Sequence, residues 1–190
     1  KTKALDDGIG AVVRKYKGKE KRLIPILMIL FALGGSTYGM AEETIAFYPL
    51  LIPVMIGVGF DSLTAVAIIL VGSQIGCLAS TVNPFATGVA SQTLDISMGQ
   101  GLFPRLLLLI ITLVLSIWYV YRYASKVEKD PRKSAVFEQR QEDLDRFSVA
   151  DADEGGTMTG RQKGVLTLFG LTFLLMIVGL IPWSTINTKW

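Results

Sequence analysis

Apolar residues in this chain gather in long runs, with polar residues between them. Leu23–Leu33 is strongly apolar and meets Gly34-Gly35-Ser36-Thr37-Tyr38-Gly39, then Met40-Ala41-Glu42-Glu43-Thr44. A second apolar run, Ile45–Phe60, ends at Asp61. Each arm holds roughly 11–16 apolar residues, or ~16–24 Å of helix, short of a ~30 Å hydrocarbon core. Two short arms joined by a polar, glycine-rich turn predict a re-entrant helical hairpin over 23–60. Two full spans joined by a tight loop are the alternative reading.

Ser62–Leu78 predicts a third apolar helix, which runs into Ala79-Ser80-Thr81-Val82-Asn83-Pro84 and then Phe85–Leu94. Pro84 lacks an N–H and disfavours helix at Asn83, so the first half-helix should stop before it. Pro84 also suits the first position of a new helix, with Asn83 as its N-cap. Residues 62–100 therefore predict a broken transmembrane helix, with a repaired proline kink as the plainer alternative. Residues 102–121 predict an uninterrupted span with Trp118, Tyr119 and Tyr121 as an interfacial belt. Residues 122–163 read as a polar linker with a short helix around Ser134–Phe147, and 164–182 as a last span stopped by Pro182. At the other end, within 1–22, residues 4–18 predict an amphipathic helix lying along a membrane surface.

Charge makes the membrane reading firm. Of 19 Lys and Arg residues, eight lie in 1–22 and nine in 122–163, the exceptions being Arg105 and Lys189. From Leu23 to Pro104 the charged residues are Glu42, Glu43, Asp61 and Asp95. A soluble protein scatters Lys and Arg over its exposed faces. A bilayer excludes them, because a charge at its centre costs ~2.5–3.5 kcal/mol even on insertion scales. The net charge of +3 is therefore a matter of topology and carries no sign of nucleic-acid binding. Placing the two basic blocks, 1–22 and 122–163, in the cytoplasm gives a multi-pass protein of the inner membrane. The hairpin returns the chain to its starting side, the broken helix crosses outward, and 102–121 crosses back. Cys77 stands alone, and without His or a second Cys no zinc site is expected. The chain begins at Lys1 and ends just after a hydrophobic run, and reads as a piece of a longer polypeptide.

Two constellations carry candidate chemistry. The first is Ser36 and Thr37 with Glu42, Glu43 and Thr44. Ionisable residues inside a membrane bind cations, carry protons or pair with a substrate, and adjacent carboxylates in a low dielectric suit proton coupling. A loop in water between two spans is the bland alternative. The second is Ser80, Thr81, Asn83 and Pro84. Unwound backbone at membrane depth is tolerated where protein buries it or a cavity lies beside it. The helix after the break aims amides at a carboxylate, and the one before it offers carbonyls to Na⁺. Glycines 72, 76 and 88 with Ser73 suit close helix packing. Gln74 and Gln92 read equally as packing contacts or a polar path. No Walker motif, nucleophile–base pair or metal-ligand spacing is present, so an enzyme has little support.

The run Gly39-Met40-Ala41-Glu42-Glu43-Thr44, then Gln74-Ile75-Gly76 and Asn83-Pro84-Phe85, resembles the YfcC-like family of basic amino acid antiporters. That family is grouped with the C4-dicarboxylate anaerobic carriers in the ion transporter superfamily. The resemblance implies an all-α inverted-repeat secondary-transporter fold, in which each repeat gives one re-entrant hairpin and one broken helix. It further implies a homodimer and a solute held where hairpin tips meet breaks. On that reading the chain carries most of the first repeat and the start of the second, and depends on the remainder of its own polypeptide.

The expected function is a secondary active transporter, exchanger or ion-coupled, for amino acids and most of all basic ones. Na⁺ or H⁺ is the candidate coupling ion, and no cofactor is expected. The substrate argument is electrostatic: Glu42 and Glu43 suit a cationic solute, and this half offers no Lys or Arg to offset them for a dicarboxylate. A C4-dicarboxylate carrier of the same superfamily and a non-transporting scaffold subunit are the alternatives. Nothing resembles a channel's repeated selectivity filter.

Overall fold

The computed structural model describes residues 19–146, together with Gly160, Gly164, Thr167, Leu168, Leu171 and Leu175, which are helical. The amphipathic segment expected at 4–18 and most of the span expected at 164–182 lie outside the described residues. All regular structure among the described residues is helical.

A short 3₁₀ turn, Glu20–Arg22, leads into α1, Leu23–Tyr38. The helix runs five residues past Leu33, where the sequence predicts its end. Gly34 and Gly35 are tolerated because they pack: a Cβ on Gly35 would run into the Ser73 carbonyl and the Cys77 amide. Termination falls instead to Gly39, whose φ of 84° is left-handed. Its amide donates to Gly35 O and that of Met40 to Gly34 O, closing the last carbonyls of α1. A 3₁₀ segment, Glu42–Phe47, then turns the chain into α2, Tyr48–Gly57. Phe47 meets Phe31 edge-on at 5.3 Å, which fixes this segment against α1.

α3, Ser62–Leu78, starts on Asp61, whose side chain accepts from the Thr64 amide at 2.9 Å. α1 and α3 run side by side in the same direction. Gly72 lies against Met28 and Phe31, Gly76 against Ala32 and Ser36, so both sequence numbers rise together. The missing Cβ atoms bring the two backbones close, the usual device of membrane helices. A non-helical stretch follows Leu78. It ends at Asn83, which caps a π turn, Pro84–Gly88, continued by the short α4, Val89–Thr93.

α5, Leu102–Lys129, returns antiparallel to α1 and α3. Near its start Leu109 packs with Ala32, Ile75 and Ala79. Near its end Val120 and Ala124 join the cluster of Leu23 and Ile24, and Lys21 pairs with Glu128 at 2.6 Å. At 28 residues it measures ~42 Å, long and apolar enough to cross a bilayer. It continues eight residues past the expected end at Tyr121, because Ala124 and Val127 of that last stretch are buried in the bundle. Its outer face shows Phe103, Leu107, Ile110, Val114, Leu115 and Tyr119, a surface that water would not tolerate.

After α5 the chain makes 3₁₀ turns at Pro131–Lys133 and Phe137–Gln139 before α6, Arg140–Arg146. The helix expected from Ser134 thus starts six residues later. Ser134 has extended backbone, since its hydroxyl donates to Asp61 across the fold at 2.6 Å.

Candidate functional site

The end of α1 and the end of α3 reach the same level and are stitched together there. Ser36 Oγ lies 3.1 Å from Ala79 O and 3.0 Å from Thr81 Oγ1. The Ser36 carbonyl in turn accepts the Thr81 amide at 3.0 Å and the Val82 amide at 3.3 Å. Ser36 and Thr81 are both buried. The unwound backbone after Leu78 is therefore satisfied by α1, the condition under which such backbone survives away from water.

Asn83 completes the junction. Its Oδ1 accepts from the amides of Phe85 at 2.8 Å and Ala86 at 3.2 Å. Its amide group lies against Gly39, where a Cβ would sit 2.7 Å from Nδ2. Gly39 thus serves twice, for its positive φ and for the room it leaves Asn83. This capping changes the expected chemistry of the break. The first amides of the Pro84 turn already have an acceptor in Asn83 itself, so an incoming carboxylate would have to displace that side chain.

Two residues that sequence reasoning missed hold the break from its other sides. Thr87 reaches back so that its Oγ1 donates to the Ser80 carbonyl at 3.1 Å, with the two hydroxyls 2.6 Å apart. Arg105, in the first turn of α5, donates from Nη1 to the same carbonyl at 3.2 Å. The sequence signal for Arg105 was present: it is the one basic residue between Arg22 and Arg122. In the sequence it stands at the edge of a stretch without Lys or Arg. Its position also corrects the expectation that no positive charge stands near the break.

The remaining predicted residues stand apart from this junction. Thr37 Oγ1 donates to Leu33 O of its own helix at 2.7 Å, and Thr44 bonds locally to Ala41 O. Glu42 and Glu43 are exposed on the segment that follows the corner, where Glu43 accepts from the Ala41 amide at 3.3 Å. Pro84 opens its turn and is half-buried. Beside the corner the Tyr38 hydroxyl is buried without a hydrogen-bond partner among the described residues. No cluster of metal-ligating side chains occurs among the described residues.

A second polar cluster marks the opposite end of the bundle. The Asp61 carboxylate accepts from Thr64, from Tyr123 at 2.6 Å and from Ser134 at 2.6 Å, while Ser62 bonds Asp143. Burial pushes the Asp61 carboxyl up, but the bonds from Ser134, Thr64 and Tyr123 outweigh it and hold it below the usual carboxylate range. This cluster fastens the segment after α5 to the turn between α2 and α3.

Comparison with known proteins gives these features a family. The chain matches the C4-dicarboxylate anaerobic carrier family over residues 1–190. It is 35% identical over 193 residues to a protein of Escherichia coli (strain K12) named "Putative basic amino acid antiporter YfcC", covering 100% of this chain. It is 34% identical over 183 residues, 95% of this chain, to an uncharacterized protein of Haemophilus influenzae (strain ATCC 51907 / DSM 11121 / KW20 / Rd). The chain covers 36% of the length of each of these relatives. No solved structure matches it. With its helical bundle, its apolar outer face and this match along the whole chain, the protein is a multi-pass membrane protein that belongs to the C4-dicarboxylate anaerobic carrier family of transporters.

Proposed function

We propose that the complete polypeptide is a secondary active transporter, exchanger or ion-coupled, for amino acids and above all basic ones. In this reading 23–60 is a re-entrant hairpin, 62–100 a broken span, and 164–182 the first span of an inverted second repeat. Residues 1–22 and 122–163 face the cytoplasm of a cell whose inner membrane holds the carrier as a homodimer. The observation that carries the reading is the docking of the Ser36–Gly39 corner on the Thr81–Asn83 break, with two carboxylates directly after that corner. A hairpin tip meeting a broken helix is where inverted-repeat carriers bind their solutes. Glu42 and Glu43 face outward from the first repeat and are open to residues supplied by the rest of the polypeptide. The name of the Escherichia coli relative fits a solute with cationic groups.

The test is counterflow in proteoliposomes holding the complete carrier. Uptake of labelled arginine or ornithine against an internal pool, abolished by Glu42→Gln with Glu43→Gln, is the expected result. Uptake of succinate that excess arginine leaves unchanged would sink the basic amino acid reading. One observation favours that second reading, a C4-dicarboxylate carrier, through its field and not through contact: the Arg105 guanidinium, bonded to backbone carbonyls, adds a positive charge near the break. Imposed Na⁺ and pH gradients in the same vesicles decide between Na⁺ and H⁺ as coupling ion.

A further inference from the structure

Helix α3 ends at Leu78; the carbonyls of its last turn are its negative end, and those of Ala79 and Ser80 follow directly in the unwound stretch. In an unwound carrier helix these are the groups that coordinate Na⁺. Here they are already engaged. Ala79 O lies within hydrogen-bond distance of Ser36 Oγ, and Ser80 O accepts from both Thr87 and Arg105.

Among the described residues, the guanidinium of Arg105 is held by carbonyls alone. Nη1 donates to Ser80 O at 3.2 Å, Nη2 to Met98 O at 2.6 Å and Gln100 O at 2.9 Å, and Nε to Gly101 O at 3.0 Å. The ion pairs recorded among the described residues, Lys21–Glu128 and Lys133–Asp130, do not involve it. A shell of neutral backbone oxygens around a positive charge is the ligand set of a hard-cation site. Four directed donors in a rigid fork match four oxygens in a way a lysine ammonium does not.

We infer that Arg105 is a tethered cation seated at the carbonyl end of the broken helix, and that this seat does not take a coupling Na⁺. Arg105 is then a positioning residue. It fixes Ser80, which is bonded to Thr87, and so sets the path of the chain toward Asn83 without touching solute. The transport arm of the test rests on the transporter reading, while the unfolding arm stands without it.

The complete carrier is purified as the parent, Arg105→Ala, Arg105→Lys and Arg105→Gln. Thermal unfolding in detergent is followed in choline chloride, sodium chloride and methylguanidinium chloride. Arg105→Ala is expected to melt below the parent in choline, with Na⁺ or methylguanidinium raising its midpoint and leaving the parent's unchanged. In proteoliposomes its KM is expected to rise about tenfold, with Arg105→Lys between it and the parent. An unchanged midpoint in Arg105→Ala overturns the inference. So does a lowered midpoint that neither cation restores, since that outcome marks plain packing. Should Arg105→Ala not fold, Arg105→Lys closer to the parent than Arg105→Gln supports the tethered cation, and equal behaviour overturns it. A parent that moves no amino acid or dicarboxylate removes the transporter reading and leaves the unfolding arm to decide this one.

Discussion

Asp61 is the clearest case of one residue joining distant parts of the chain. It caps α3 and receives the hydroxyls of Tyr123 and Ser134, residues far along the sequence. These bonds favour the charged carboxylate, so its folded pKa lies below the unfolded value of about 3.9. The stabilisation is therefore complete above that range and is lost as pH falls through the lower folded pKa. Melting of the complete carrier should drop as pH falls below about 4 and on into more acid solution. Asp61→Asn should melt lower at neutral pH and show a weaker dependence over the same interval. A variant with the parent's full acid sensitivity would assign that sensitivity to another group. Asn83 offers a second test at this scale: Asn83→Ala removes the cap on Phe85 and Ala86 and should cost about 1 kcal/mol in chemical unfolding.

Between elements, the contact of α1 with α3 rests on absent side chains. A Cβ on Gly76 would meet the Ala32 carbonyl and the Ser36 amide, which are backbone and cannot swing aside. Gly76→Ala should therefore destabilise by roughly 1–3 kcal/mol, and Gly99→Ala, whose Cβ would meet only the Ser97 hydroxyl at 3.5 Å, by far less. Equal melting of the two variants would remove the close-packing account. The corner and the break form the other joint. A double-mutant cycle of Ser36→Ala and Thr81→Val should return a coupling of about 1 kcal/mol, since each side chain bonds to the other's segment. Additive effects would mean the two segments merely lie near each other.

For the whole molecule, the direction of each helix sets a topology that labelling reads directly. α1 and α3 leave the end that holds Asp61 and Lys21, and α5 returns to it. With the basic blocks placed inside, Gln100 and Glu138, both exposed, belong to opposite sides of the membrane. In a cysteine-free complete carrier, Gln100→Cys should react with an impermeant maleimide from outside and Glu138→Cys only from inside. Labelling of both from one side would reject the proposed path. The carrier's large outer face of Leu, Ile, Val and Phe on α5 requires lipid or further protein, and the relatives, nearly three times as long, have chain enough for the latter.

The sequence by itself determined the membrane class, the helices' approximate places and the family, because each depends on local and additive quantities. Hydropathy over Leu102–Tyr121, the blocks of Lys and Arg, and Pro84 after Asn83 act through nearby residues alone. Helix ends were less legible where neighbours decide them: Gly34 and Gly35 read as a turn, yet they continue α1 because Met40 packs on the first and α3 on the second. The site divided along the same line. Ser36 was named at the glycine-rich turn and Ser80, Thr81 and Asn83 at the break, and the fold docks the one on the other. Glu42 and Glu43 were named on charge, and the fold leaves them at its surface. Arg105 and Thr87 were invisible as partners of Ser80, since a hydrogen bond across 25 or seven residues depends on where α5 and the π turn come to rest. Tertiary packing alone decided that, because it sets which carbonyls a fixed positive charge can reach.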